Sequence, residues 1–285
     1  MTTTPFKRGL SENLIKWLTT ATGRALCAAL AEHKLDVRLR GDYLNAYRAE
    51  CSEAKVGWQE VQKRIVLSIH WKYLANTPEL LTGHKHGHYY DLALSAELTE
   101  SYCSSLPAIL RAVESYVGEE GRWEQRCVEA NLEGTPLLVI DRQIVNGRPL
   151  IKLDILAVAP GAGDATLVAV ELKRDLDNRI QDVPEQALKY VKMLDPAGLG
   201  LRAVIAASYG DVCRQLRMLG FKACDPALVR PGMRVVGLVA LADYNERSRL
   251  LGRAREVASH LDRPIRFCRL DRDHLTLPPE SEWFT

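Results

Sequence analysis

The chain has no run of about 18 consecutive apolar residues, so no membrane-spanning helix is expected. Its first residues, MTTTPFKRGLSENLIKW, lack a continuous apolar stretch followed by small residues, so no signal peptide is expected. Seven cysteines are scattered along the chain, and no two form a Cys-x-x-Cys pair. That spacing argues against zinc sites built from such pairs and points to a reducing, cytoplasmic setting. Net charge is also scarce. Lys and Arg number 38 against 36 Asp and Glu, for a formal +2. The whole-chain field does not attract polyanions, so a nucleic-acid partner has to be held by a local basic patch. There is no internal repeat and no low-complexity tract.

What is present is a globular balance, with 47% apolar and 26% charged residues over 285 positions. That suffices for one large domain or two ordinary ones. Residues 11–33 show helical spacing, with Ser11 as a cap and Gly23 as a break between two helices. Residues 35–74 carry alternating apolar positions, with turns expected at Gly41-Asp42 and Val56-Gly57, and read as a small antiparallel sheet. GHKHGHYYD reads as a polar loop. A helix is expected over 92–117, started or interrupted at Pro107. From about 118 the order is clearer: an amphipathic helix (GEEGRWEQRCVEANL), then strands PLLVIDRQIV, PLIKLDILAVA and TLVAVELKRD. Turns at Asn146-Gly147 and PGAGD join these strands. A helix from Pro184 follows, then a strand at 203–207, a helix at 211–219, a strand VVGLVALADY, a helix at 245–260 and a strand PIRFCRL. This alternation predicts an α/β fold with a mixed sheet flanked by helices over 116–285. A smaller α+β domain occupies 1–115, and the boundary falls near 112–118.

The chemistry concentrates in 124–190. In TLVAVELKRD, alternation puts Val168, Val170 and Leu172 on one face and Ala169, Glu171 and Lys173 on the other. Charges on so apolar a strand cost several kcal/mol each unless they are paired or bind a metal. The preceding strand carries one carboxylate, Asp154, and a hairpin lets it lie beside Glu171. Two adjacent carboxylates repel unless a cation neutralises them. Hard oxygen ligands of this kind suit Mg²⁺ or Mn²⁺. Lys173 is where an ammonium should stand to orient a water and stabilise developing negative charge.

The ordered set of a helix glutamate, a strand aspartate, a turn, a strand Glu-x-Lys and a helix Gln-x-x-x-Tyr resembles the PD-(D/E)XK nuclease superfamily, restriction-endonuclease-like. Its repair and defence branches are the most similar. The resemblance covers about 118–195. It implies metal-dependent hydrolysis of phosphodiesters, with DNA favoured, Mg²⁺ as the cofactor and Mn²⁺ able to substitute. It implies Asp154 and Glu171 as metal ligands, Lys173 as the activating lysine, and Glu124 as the assisting helix glutamate, with Glu129 as the alternative. Gln186 and Tyr190 match the Gln-x-x-x-Tyr element. Leu153 stands where the superfamily's variable proline would precede Asp154. Arg174, Arg179, Lys189 and Tyr190 are the candidate nucleic-acid contacts. An RNA-directed nuclease, or a non-cutting nucleic-acid-binding or assembly module of the same fold, are the alternatives. A homodimer is compatible with the sequence.

Other features read more plainly. His84, His86 and His88 fit a solvated turn better than a metal site. Arg247, Arg249, Arg253 and Arg255 share their segment with Glu246 and Glu256, which favours a salt-bridged surface over phosphate contacts. Trp17, Trp58 and Trp71 are expected in the core or at a domain interface.

Overall fold

The computed structural model describes residues 8–146, 151–161, 165–174, 179–195, 201–245, 247–271 and 273–285. Contacts divide these into two compact units: residues 8–125 with 214–222, and residues 126–213 with 223–285. The expected boundary near 112–118 therefore lies inside the first unit, to which a later helical segment also belongs.

The first unit opens with α1 (Glu12–Leu18) and α2 (Ala21–Glu32), capped by Ser11 and Thr20. The break falls at Thr19-Thr20, not at Gly23 as the sequence suggested. Gly23 lies inside α2, where a Cβ would sit 2.3 Å from the Trp17 carbonyl oxygen. It is there for close approach. The strands β1 (Asp36–Arg40), β2 (Tyr43–Arg48), β3 (Cys51–Gln59), β4 (Arg64–His70), β5 (His84–His86) and β6 (Tyr89–Ala93) follow. They form an antiparallel sheet in the order β1-β2-β3-β4-β6-β5. Two expectations are corrected here. Val56-Gly57 is the middle of β3, not a turn, and His84–His86 is an edge strand, not a loop. Helix α3 (Ala96–Glu114) is capped by Ser95, runs through Pro107 and packs on β2 and β3. It buries Tyr102 against Glu53, whose Oε2 accepts the tyrosine hydroxyl at 2.7 Å.

Helix α4 (Glu119–Ala130) spans the division between units. The second unit holds β7 (Leu138–Asn146), β8 (Ile151–Ala159), β9 (Thr166–Arg174), α5 (Val183–Leu194), most of α6 (Leu201–Met218), β10 (Arg234–Ala242), α7 (Arg249–Ser259) and β11 (Ile265–Leu270). The sheet order is β11-β10-β9-β8-β7. β7, β8 and β9 pair antiparallel, while β9, β10 and β11 pair parallel. The expected strand at 203–207 is instead part of α6. Ile205, Tyr209, Val212 and Leu216 are buried there at helical spacing. Residues 147–150, 162–164 and 196 lie outside the described residues, and with them parts of the turns expected at Asn146-Gly147, PGAGD and Asp195-Pro196.

Helix α5 lies across β8, β9 and β10. It seats on the face that carries Gly237, where a Cβ would meet Ile265 Cδ1 at 2.5 Å, Val191 Cγ2 at 3.2 Å and Ala187 Cβ at 3.5 Å. Gly237 is the register partner of Ala169, Val239 of Glu171 and Leu241 of Lys173. Glu171 and Lys173 therefore emerge on the face covered by α5. Among the described residues no helix is long and apolar enough to cross a membrane.

Candidate active site

β9 is buried on both faces up to its last residue. Within it Glu171 is 1% exposed and Lys173 8%. Isolated charges at such depth would not be tolerated, and these two meet: Lys173 Nζ lies 2.8 Å from Glu171 Oε1. The other carboxylate oxygen of Glu171, Oε2, is buried with no hydrogen-bond partner among the described residues.

Asp154 completes the group from β8. The β8–β9 ladder is paired from Ala159–Thr166 to Ile155–Val170. One step further the aspartate faces Glu171, and its Oδ2 accepts the Leu172 peptide N–H at 3.2 Å. Burial, and then the Glu171 charge, raise the Asp154 carboxyl to about 7. Lys173, the Leu172 N–H and Lys152 pull in the opposite direction. A weakened acid of this kind is what burial produces, reinforced by a second carboxylate at close range.

Helix α5 adds the next layer. Gln186 and Tyr190 are one turn apart, and Gln186 Nε2 donates to the Tyr190 hydroxyl at 2.6 Å. That hydroxyl donates to the Lys152 carbonyl of β8. Burial, then the Glu171 charge, push the phenol well above its ordinary range. Gln186 is thereby joined to Tyr190, which ties α5 to the strand bearing Asp154. Neither this carbonyl nor the Leu172 N–H leaves a signal in the sequence, since every residue carries the first and every residue but proline the second.

The remaining candidates sit further out. Arg174 ends β9 and is half-buried, while Arg179 and Lys189 are exposed just before and on α5. Glu124 is buried on α4 but belongs to the first unit, and Glu129 is exposed in the second. Among the described residues, no three His, Cys, Asp or Glu side chains gather closely enough to hold a metal. Asp154 and Glu171 are the two carboxylates that the β8–β9 pairing brings together.

No family model matches this chain, and neither a curated protein nor a solved structure matches it significantly.

Proposed function

We propose that the chain is a metal-dependent nuclease that hydrolyses phosphodiesters, with DNA as the favoured substrate. The observation that carries this reading is the meeting of Asp154, Glu171 and Lys173 on one sheet face, with Glu171 Oε2 buried and unpartnered. The mixed sheet with helices packed on it, which the resemblance to the PD-(D/E)XK superfamily implies, supports it. A pair of carboxylates is a fitting donor set for Mg²⁺, which completes its shell with waters and substrate oxygens.

In this reading Asp154 and Glu171 hold the ion. Bound there, it would neutralise phosphoryl charge and acidify a water. Lys173 moves from its ion pair towards the phosphate and stabilises the charge that develops on it. Leu172 N–H and the Gln186–Tyr190 pair keep the two strands in register, so that neither carboxylate has to reorganise. Arg174, Arg179 and Lys189 supply positive charge beside the site for the substrate backbone.

A second reading has one observation in its favour. The Lys173–Glu171 pair is already closed at 2.8 Å, as in a structural ion pair of a non-cutting module. The two part on a single assay. Plasmid DNA, single-stranded DNA and RNA are incubated with Mg²⁺, Mn²⁺ or EDTA, with wild type beside Asp154→Asn. Metal-dependent cutting by wild type alone supports the nuclease. No cutting of any substrate with either metal gives the non-cutting reading, and cutting confined to RNA redirects the substrate.

A further inference from the structure

The open face of the first unit's sheet has a chemistry of its own. Lys55, Ser68, Asp91 and His84 are successive register partners across β3, β4, β6 and β5. Two residues along, His70, Tyr89 and His86 form the next row, so alternation puts both rows on one face. Leu67, Ile69 and Leu92 fill the opposite face and are buried. On the open face, Lys55 Nζ stands 5.1 Å from the Tyr89 ring centre and 5.9 Å from that of Tyr43. His70 meets Tyr89 edge-on at 5.4 Å. Where β4 ends, Trp71 and Lys72 continue the surface. Trp71 is 49% exposed, and Lys72 Nζ lies 4.2 Å from the ring centre of Tyr116, itself 48% exposed.

The charge of this stretch leans basic by a small margin. Residues 64–94 contain Arg64, Lys72 and Lys85 against two acids, Glu79 and Asp91, together with four histidines. Each acid accepts from a serine hydroxyl and keeps its charge: Ser105 Oγ donates to Glu79 at 2.6 Å and Ser68 Oγ to Asp91 at 2.5 Å. Solvent-facing indole and phenol rings would be left without a role by a simple anion. Lysines poised over rings would be left without one by an apolar protein partner. A ligand with both phosphates and flat unstacked faces uses both. Duplex nucleic acid hides its base faces, and single strands offer them.

We propose that this face, centred on Lys55, His70, Trp71, Lys72, Tyr89 and Tyr116, binds single-stranded nucleic acid by stacking bases on its rings and pairing phosphates with its lysines. Binding stands independently of cleavage. That the bound strand is also the one cut rests on the nuclease reading.

The test uses the full chain in EDTA, with fluorescence anisotropy of labelled oligo(dT), oligo(U) and a duplex of matched length. Single strands are expected to bind more tightly than duplex, and the two oligomers show whether DNA or RNA is preferred. Trp71→Ala should weaken single-strand binding about tenfold, and Trp71→Phe should restore it. Lys72→Ala should reduce the slope of log affinity against log salt by about 0.7. Trp71 is half exposed, and a melt of each variant confirms that it is folded. Absence of single-strand binding, or wild-type binding by both Trp71→Ala and Lys72→Ala, overturns the proposal. So does loss of self-association by light scattering in Trp71→Ala with DNA binding unchanged, which would assign the face to a second copy of the chain. Binding without metal-dependent cutting would sink the nuclease reading alone, and cutting without a contribution from Trp71 or Lys72 would sink this one alone.

Discussion

The Leu172 peptide N–H is held by the Asp154 carboxylate at 3.2 Å, and Leu172 is the residue between Glu171 and Lys173. The acid of one strand is thus fastened to the backbone that presents the other two side chains. Moving β8 relative to β9 would disturb all three groups together.

Asp154→Asn keeps an oxygen for the Leu172 N–H and removes a charge that burial and Glu171 both disfavour. At pH 8 without metal, this variant should be more stable than wild type by on the order of 1 kcal/mol. In the nuclease reading Mg²⁺ binds the folded state, so it should raise the melting temperature of wild type and leave the variant unmoved. Thermal denaturation with and without Mg²⁺ measures both. An equal Mg²⁺ shift in the two proteins would take Asp154 out of any metal site.

Lys173→Ala strands the Glu171 carboxylate, which is 1% exposed, without its cation. Breaking a buried pair in this way costs about 3 kcal/mol, so the variant should melt well below wild type in urea or heat. In the nuclease reading, cleavage by the still-folded fraction should fall at least about a hundredfold. A folded variant that cuts at the wild-type rate would show that the ammonium serves only the fold.

Tyr190→Phe removes the acceptor of Gln186 and the donor to the Lys152 carbonyl. The expected loss is about 1 kcal/mol of stability, read from chemical denaturation. In the nuclease reading, cleavage should change by less than about tenfold, because the hydroxyl acts through its bonds to Gln186 and the Lys152 carbonyl of β8. A hundredfold loss in a protein of wild-type stability would put the phenol in the reaction.

Glu53 gives the first unit one source of pH dependence. Burial raises its carboxyl from 4.5 to about 8, against a smaller opposing effect of the Tyr102 hydrogen bond. The folded state therefore holds a proton that the unfolded chain releases. Stability from this residue is complete below pH 4.5 and is lost as pH rises through about 8. Glu53→Gln should flatten that fall and be more stable than wild type at pH 9, by on the order of 2–4 kcal/mol. Parallel curves for the two proteins between pH 5 and 9 would mean that Glu53 is ionised in the folded state.

Much of the second unit was readable from residue order. The alternation in TLVAVELKRD does put Glu171 and Lys173 on one face, and the β8–β9 pairing brings Asp154 opposite. The run RAVIAAS was not readable, because five apolar residues fit a buried strand as well as a helix turn. Only the longer spacing from Ile205 to Leu216 separates the two. By sequence Gly23 and Gly57 suggest breaks, the usual inference from glycine. One proves to be a point of close helix contact and the other an ordinary strand position beside Tyr43. The exposure of Trp71, at the surface and not in a core, was equally hidden, since a tryptophan after an apolar strand is compatible with either. How Gln186 acts depends on a bond to Tyr190 that spacing permits but does not require.

Gly237 has a consequence for how this fold can change. One added methyl would press first on the tip of Ile265, which can swing aside, and then on Val191 of α5 by a few tenths of an ångström. Alanine is therefore absorbed by side-chain adjustment, whereas a larger residue has to displace α5, and with it the Tyr190 hydroxyl from the Lys152 carbonyl. A position that bears no functional group thus sets the bulk that the helix–sheet seam can admit.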